Sequence, residues 1–249
     1  MVRTAVAPVA LGVAVVLLWQ WAVTGLDIAA FILPGPFAIG EQFANNLDNV
    51  FAGMLVTGVN AFIGLVAGAV LGIIIAILAA LIRLIDGLAA PIVSALAVVP
   101  IVALAPVLYT MFGAGAETAR QIVAALAVFV PVYFNTLKGL RQVRPVHRDL
   151  MSSYAATPWQ STKVVTLPTA VPYVFTGLRI GSSLAVISAL VAEYFGGPVG
   201  GLGRAITSSA SSSNYGLAWA YVLGSILLGL LFYCAALALE KLATRRTGG

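Results

Sequence analysis

Long apolar segments limit the possible folds of this chain more than any other feature of its sequence. Each of them is long enough to cross the hydrocarbon core of a bilayer. They run at about 5–23, 51–81, 87–111, 119–137, 173–195 and 217–239. Only 8% of the 249 residues are charged and 61% are hydrophobic, whereas about 25% of a soluble domain is charged. The sequence therefore predicts an all-α polytopic membrane protein with six transmembrane helices.

The first 50 residues are predicted to form one transmembrane helix and an external linker. A charged start at Arg3 followed by an apolar run is also typical of a signal peptide. This run is longer than the usual apolar region of a signal and lacks a small-x-small cleavage site, which favours an uncleaved helix. In the linker, Phe37, Ile39, Phe43 and Leu47 fall at roughly helical spacing and predict an amphipathic helix on the membrane surface.

Residues 51–240 are predicted to form the five-helix core, followed by a tail at 241–249. Gly64, Gly68 and Gly72 recur every fourth residue of the second span, which favours close helix packing. Prolines interrupt the third span at Pro91, Pro100 and Pro106. Because proline removes a backbone donor, we expect either a broken helix beside a cavity or a merely kinked scaffold helix.

The positive charges predict the orientation of the chain. With six spans, eleven Lys and Arg residues fall on the side of the termini and only Arg120 and Arg204 on the other. Cytoplasmic loops are enriched in these residues, so both termini and the loop at 138–172 are predicted to be cytoplasmic. The eleven are Arg3, Arg83, Lys138, Arg141, Arg144, Arg148, Lys163, Arg179, Lys241, Arg245 and Arg246.

Several other functional classes have little support in the sequence. The net charge of +5 is concentrated at the ends of the apolar segments, which is the pattern of topology determinants and argues against nucleic-acid binding. Cys234 lies in an apolar run and His147 is the only histidine, so neither a disulfide nor a metal site is predicted. The chain has no nucleophile–base pair and no phosphate-binding glycine–lysine loop, so we expect neither catalysis nor ATP binding.

Four residues are candidates for a pathway or a gate. A carboxylate inside a membrane is costly, so Glu193 could line the pathway, pair with Arg204 or stabilise a gate. It could also be an interfacial residue that reaches water. Asn60 and Asn135 could satisfy broken backbone, face a cavity or hold helices together, and Pro100 stands in the proline-rich span.

The polar loop at 138–172 is predicted to project from the membrane as two short helices. The first covers 147–157 and ends at Pro158, because proline disfavours helix in the preceding residue. The second begins near Trp159. Such a protrusion is suited to a groove on a soluble partner, with Leu150, Met151 and Tyr154 among its contact side chains. An ordinary solvated loop, positive because it is cytoplasmic, is the alternative.

The same loop resembles the cytoplasmic signature of binding-protein-dependent ABC importer permeases. That signature reads Glu-Ala-Ala, three residues, Gly, nine residues, Ile-x-Leu-Pro. Asp149-Leu150-Met151 stands at Glu-Ala-Ala, Ala155 at the Gly, and Val165-Thr166-Leu167-Pro168 at Ile-x-Leu-Pro, with the spacing matched in full. Ala192-Glu193 before a glycine-rich run, and Leu33-Pro34-x-Pro36 after the first span, are similar to the nitrate/sulfonate/taurine branch.

The resemblance implies a type I permease fold in a bacterial inner membrane and a function in import of a small solute. It implies a second permease copy, two cytoplasmic ATP-binding subunits that hold ATP and Mg²⁺, and an extracytoplasmic binding protein. The solute would be polar or anionic, such as nitrate, a sulfonate, taurine or a vitamin precursor. The implied ATPase-docking residues are Asp149, Leu150, Met151, Ser152, Tyr154, Ala155, Ala156, Thr157 and Pro158, with the loop returning through Val165, Leu167 and Pro168.

Two other functional classes are compatible with a strongly apolar polytopic chain. A secondary transporter or channel would need no ATPase, but such carriers show inverted repeats and paired broken helices, and the sequence contains no convincing internal repeat. A structural membrane anchor would not need a long docking loop or a proline-rich third span.

Overall fold

The computed structural model describes residues 2–247, and their side chains at position 7 and from 9 to 243. The side chains of Arg3, Arg245 and Arg246, which entered the charge count, lie outside that part. Every regular element of the described chain is helical, as predicted. The helices are α1 (Val2–Gly25), α2 (Pro36–Asn45), α3 (Leu47–Leu81), α4 (Arg83–Val98), α5 (Ala105–Phe112), α6 (Thr118–Arg141), α7 (Pro145–Ser153), α8 (Pro158–Ser161), α9 (Leu167–Tyr194), α10 (Leu202–Ser211) and α11 (Tyr215–Thr247).

Four helical segments of the described chain are long and apolar enough to span a membrane. They are α3, α6, the continuous segment Pro158–Tyr194 and α11, and the bent pair α4–α5 brings the number to five. The apolar part of α1, Val9–Gly25, is shorter and is not among these four segments. The prediction of six spans therefore stays a prediction.

The third predicted span is broken rather than kinked. Its two halves, α4 and the segment Ile101–Phe112, differ in direction by 86°. Val99, the residue before Pro100, adopts an extended conformation with φ −66° and ψ 129°, because the proline ring disfavours the helical region there. A 3₁₀ turn at Ile101–Leu104 then leads into α5.

Two of the short helices, α2 and α10, belong to connections between the long helices. A helix is present in the predicted linker as α2, which begins with Pro36 at its first position, where the missing N–H costs nothing. Leu47 belongs to α3 instead, and the position of α2 on the membrane surface stays a prediction. The Ser-rich stretch after the fifth span also forms a helix, α10, which the sequence did not predict. Glycine and serine are poor helix formers, so the propensity of this segment argued against the helix that it forms.

The described residues fall into two compact units. The first contains the residues up to Val56 together with Val199–Ile226. In it, the rings of Trp19 and Trp219 meet edge to face at 5.9 Å, and the side chain of Gln20 accepts a hydrogen bond from the Phe37 N–H at 3.2 Å. These contacts fix α1 against α2 and α11.

The second unit, Thr57–Pro198 with the residues from Leu227 onward, is built around α6. A Cβ at Gly64 or Gly68 would overlap Ala124 or Ala125 of α6, and one at Gly72 would lie 3.0 Å from the Phe129 carbonyl oxygen. The glycine stripe of α3 therefore faces α6 at backbone contact. On α9, Gly177 and Gly181 approach the same helix, where a Cβ would come within 3.0 Å and 3.1 Å of Val132 and Val128.

Candidate functional site

A buried ion pair lies in the second unit, between the first turn of α6 and the last turns of α9. The Nη1 atom of Arg120 is 3.0 Å from the Oε1 atom of Glu193, and the exposed fractions of the two side chains are 0% and 1%. Arg204, the partner that the sequence suggested for Glu193, is an exposed residue of α10. Arg120 is thus a partner of the Glu193 carboxylate, and the suggested pairing with Arg204 stays a prediction.

Further hydrogen bonds extend this pair to α3 and to the loop after α9. The hydroxyl of Thr57 lies 3.0 Å from both carboxylate oxygens of Glu193. The Nη2 atom of Arg120 donates to the Pro198 carbonyl at 3.1 Å. Because each charged group keeps several partners, much of the cost of its burial is offset.

A second layer of polar side chains surrounds Arg120. Its Nε atom is 3.4 Å from Oε2 of Glu117, which accepts a hydrogen bond from the Asn60 side-chain amide. The Asn60 carbonyl oxygen in turn accepts from Nε2 of Gln121 at 2.8 Å. We refer to Thr57, Asn60, Glu117, Arg120, Gln121 and Glu193 as the polar cluster.

A glycine allows the loop after α9 to pass directly over the polar cluster. Gly197 has a φ of +101°, and a Cβ there would lie 2.7 Å from the Tyr109 hydroxyl and 2.9 Å from the Arg120 Nη2 atom. Both the positive φ and the close approach require glycine. The loop is thereby held against α5 and α6, where its Pro198 carbonyl meets the guanidinium.

The polar cluster suits a structural clamp rather than a reaction centre. Its members are paired carboxylate, guanidinium and amide groups, which can hold three helices together. Among the described side chains, no group of three or more His, Cys, Asp or Glu residues could hold a metal ion. Removing one partner of such a buried pair typically costs about 3–5 kcal/mol, because the other charge is left uncompensated.

The loop between α6 and α9 carries a separate exposed surface. Every side chain of α7 is exposed or half-buried. Val146, Leu150 and Tyr154, with exposed fractions of 65%, 52% and 76%, recur every fourth residue along the helix and its C-terminal cap. Since residues at this spacing share one helix face, they form an apolar stripe that we call the docking face.

The turn that ends α7 is a Schellman motif. The N–H of Ala156 bonds to the Met151 carbonyl at 3.0 Å, and that of Ala155 to the Ser152 carbonyl at 2.9 Å. Ala155 takes the left-handed position of this motif, with φ +49°, where glycine is the usual residue. Helix α7 therefore covers 145–153, so the predicted helix at 147–157 ended four residues too late.

The second predicted loop helix, expected to begin near Trp159, is present as α8 and begins at Pro158. The Thr157 hydroxyl accepts from the Gln160 N–H at 3.3 Å, while the Gln160 side chain accepts from the Thr157 N–H at 2.8 Å. This capping box starts α8 with Pro158 in its first turn. A π-helical turn at Thr162–Thr166 then joins α8 to α9, and Val165, Leu167 and Pro168 lie in this return to the long helix.

The comparison with known families decides what this chain is. The model of the family described as the binding-protein-dependent transport system inner membrane component matches residues 68–245. The chain belongs to this family. It is a permease subunit of an ABC importer in the inner membrane, and the family is one of transporters rather than enzymes.

Relatives across most of the permease carry names of the same kind. The riboflavin transport system permease protein RibX of Chloroflexus aurantiacus is 34% identical over 91% of this chain and 85% of its own length. The formylaminopyrimidine transport permease protein ThiX of Halalkalibacterium halodurans is 29% identical over 85% of the chain and 84% of its own. The taurine transport system permease protein TauC of Escherichia coli is 29% identical over 94% and 86%.

A solved structure shares the fold of the permease. It is the crystal structure of an amino acid ABC transporter with histidines, with a TM-score of 0.64 and 18% sequence identity. The match covers 82% of this chain and 96% of that one. At this identity the likeness supports the fold alone.

The structure brings two of the four pathway and gate candidates together. Asn60 and Glu193 are both members of the polar cluster, linked through Glu117 and Arg120. Asn135 is half-buried and donates to the Pro131 carbonyl of its own helix at 2.8 Å. Pro100 lies at the break between α4 and α5. A transport role for any of the four stays a prediction.

Sequence reasoning missed Thr57 and Arg120 as partners of Glu193. Arg120 was counted as an outward topology marker, yet its side chain is buried. One signal was readable, because Glu117 and Arg120 are three residues apart at a helix start and can pair on one face. The pairing with Glu193, 73 positions away, has no local signal.

Proposed function

We propose that this permease docks a cytoplasmic ATPase subunit through α7 and the turn after it, and passes the movement of that subunit to its membrane helices. The observation that carries the proposal is the docking face. A soluble segment rarely leaves an apolar stripe of a valine, a leucine and a tyrosine in water, and such stripes mark interaction surfaces. An amphipathic helix that enters a groove is a common recognition mode.

The local structure supports a mechanical role for this loop. Three residues separate the end of α6 from α7, and α8 continues through the π-helical turn into α9. Because α6 and α9 pack closely through Gly177 and Gly181, the docking segment is attached at both ends to one packed helix pair. A displacement of α7 would therefore move that pair as a rigid body.

For topology, we propose six spans with both termini in the cytoplasm. Here α1 supplies the first span, and α4 with α5 supplies the broken third. The excess of Lys and Arg on the side of the loop at 138–172 supports this orientation.

For assembly, we propose two permease copies, two ATP-binding subunits and an extracytoplasmic binding protein. The family description, which names a binding-protein-dependent system, supports the last of these. ATP and Mg²⁺ would be held by the partner subunits, since this sequence has no glycine–lysine phosphate loop.

For the substrate, we propose a small polar or anionic solute such as nitrate, a sulfonate, taurine or a vitamin precursor. The names of the relatives support this range, because they include transporters of riboflavin, formylaminopyrimidine and taurine. A direct assay is to measure which of these solutes the partner binding protein retains.

The docking proposal is tested by Ala155→Arg, which places a bulky cation beside the docking face. Ser213→Arg is a matched control, because Ser213 is an exposed residue with φ +61° after a helix, in a connection predicted to face outward. We expect Ala155→Arg to insert normally and to lose co-purification with the coexpressed ATPase, while Ser213→Arg retains it. If Ala155→Arg still co-purified with the ATPase and still stimulated ATP turnover, the docking assignment would be wrong.

A further inference from the structure

A polar pocket lies in the first unit, between α3, α10 and α11. Its volume is about 460 Å³, which falls within the range of about 300–1,000 Å³ of small-molecule sites. Arg204 of α10, Asn49 of α3 and Tyr221 of α11 are among its lining residues. Arg204 is the one cation among the described lining residues, and none of these is acidic. The pocket therefore carries a positive charge.

The three walls of this pocket are held together by Leu202, which is fully buried at the start of α10. A Cβ at Gly53 of α3 would lie 3.0 Å from the Cδ2 atom of Leu202, and one at Gly224 of α11 would lie 3.5 Å from the same atom. Both glycines thus leave room for the leucine side chain. Because α10 packs against both long helices, the pocket is already formed without a ligand.

The pocket side of α10 differs from the rest of that helix in its hydrogen bonding. The hydroxyls of Thr207, Ser211 and Ser212 donate to carbonyls of the same helix at 3.0, 2.8 and 3.0 Å. Ser208 and Ser209 line the pocket, and no described residue accepts a hydrogen bond from their hydroxyls, although Ser209 is only 7% exposed. These two hydroxyls are therefore available to a ligand.

The donors of the pocket are complementary to an oxyanion. Arg204 is exposed and forms no ion pair with a described residue of the first unit. Its planar guanidinium fits two oxygens of one anionic group. Ser208 lies four residues further along α10, on the same helix face, and hydroxyl and amide groups such as those of Tyr221 and Asn49 add neutral donors.

We propose that this pocket binds the oxyanion group of the transported solute, with Arg204 as the charged contact and Ser208, Ser209 and Tyr221 as hydroxyl contacts. The assignment to a solute rests on the proposed function, because the connection that carries α10 is predicted to face outward, where an importer receives its solute. It narrows the proposed range to solutes with a carboxylate, sulfonate or nitrate group. An acidic side chain of the binding protein is the other source of an oxyanion.

The oxyanion site is tested in the purified permease assembly with methanesulfonate and its neutral analogue dimethyl sulfone, at constant ionic strength. Phenylglyoxal modifies accessible arginines, and peptide mass spectrometry reports the rate at Arg204 and, as an internal control, at the exposed Arg83. We expect methanesulfonate to slow modification of Arg204 at least about threefold and dimethyl sulfone to leave it unchanged, because only the anion pairs with the guanidinium. Arg83 should react at one rate throughout. Equal effects of the two compounds at Arg204, or no protection by methanesulfonate, would overturn the proposal.

The hydroxyl contacts are tested by Ser208→Ala. Ser212→Ala is the matched control, because Ser212 is exposed on α10, donates to the Ser208 carbonyl and does not line the pocket. We expect Ser208→Ala to raise the methanesulfonate concentration for half-protection about fivefold, the effect of one lost hydrogen bond. Ser212→Ala should leave that concentration unchanged. Equal values for the two variants would contradict the hydroxyl contacts.

The source of the oxyanion is decided by the docking of the solute-free binding protein. We expect its affinity for the permease to be the same with and without methanesulfonate, and the same for wild-type protein and Arg204→Gln, while Arg204→Gln lowers uptake from saturating loaded binding protein about fivefold. Competition by methanesulfonate, with weaker docking to Arg204→Gln, would overturn the assignment to the solute. Co-purification of the ATPase is scored in parallel, so a failure of this site is distinguished from a failure of the docking proposal.

Discussion

The guanidinium of Arg120 and the carboxylate of Glu193 lie 3.0 Å apart in a part of the second unit that water does not reach. Arg120 lies in the first turn of α6 and Glu193 near the end of α9. These two helices flank the loop that carries the docking face. Thr57 adds α3 to the same contact. One buried ion pair thus fixes one end of the three helices that form the centre of this unit.

Breaking this pair should destabilise the permease strongly. We expect Arg120→Met to cost about 3–5 kcal/mol, because the buried Glu193 carboxylate loses its cation. Glu193→Leu should cost less, because Arg120 keeps Glu117 at 3.4 Å. The double variant should recover most of that loss, since apolar replacement of a whole buried pair is often tolerated. Thermal unfolding of the four proteins in detergent gives the coupling energy. Additive losses in the double variant would show that the two charges do not stabilise one another.

The glycine stripe of α3 should tolerate no added methyl group at its centre. A Cβ at Gly68 would overlap the carbonyl oxygen of Ala125 on α6, so Gly68→Ala should cost about 1–3 kcal/mol through overpacking. Gly229→Ala is the control, because nothing lies within 4 Å of a Cβ built there. The measurement is the unfolding temperature of each variant. A loss at Gly229 as large as at Gly68 would rule out packing as the cause.

Glycine at position 155 should stabilise the docking loop. Ala155 has φ +49°, a conformation that costs a non-glycine residue about 1–2 kcal/mol. Ala155→Gly removes that cost and leaves the Schellman hydrogen bonds in place, so amide exchange in 150–157 should slow. Ala156→Gly, whose position has no positive φ, should not slow it. Faster exchange in Ala155→Gly than in the wild-type protein would mean that the added freedom of the unfolded turn dominates.

The two exposed loops should lie on opposite sides of the membrane. In a Cys234→Ala background, a membrane-impermeant maleimide should label Ser212→Cys in intact cells and Ser153→Cys only after permeabilisation. Both side chains are exposed in the structure, so accessibility depends on the side of the membrane. The reverse pattern would invert the proposed topology, and labelling of both residues in intact cells would refute it.

The sequence predicted features that depend on local pattern. Apolar runs predicted the long helices, and the four-residue spacing of Gly64, Gly68 and Gly72 indicated a packing stripe that the structure turns toward α6. The prolines of the third span were compatible with either a broken or a kinked helix. The extended backbone at Val99 shows that the helix is broken.

The features that were missed depend on contacts between distant residues or on competing local signals. Pro158 was interpreted as the end of the first loop helix, which instead ends at Ser153. The second helix was predicted near Trp159 and begins at Pro158, where Thr157 and Gln160 form a capping box. Arg120 was not among the partners considered for Glu193, because only the packing of α6 against α9 brings it there. The αL conformation of Ala155 depends on a helix ending that the sequence placed four residues too late.

Photo-crosslinking at Tyr154 tests the central claim most directly. Tyr154 is 76% exposed at the end of α7, and a benzophenone-bearing analogue of tyrosine at that position keeps the aromatic character of the docking face. The control is the same analogue at Val199, which is 89% exposed in a connection predicted to face outward. The account predicts a light-dependent adduct of the permease with its ATPase subunit from position 154 and none from position 199. An assembled transporter that gives no ATPase adduct at position 154 would contradict it.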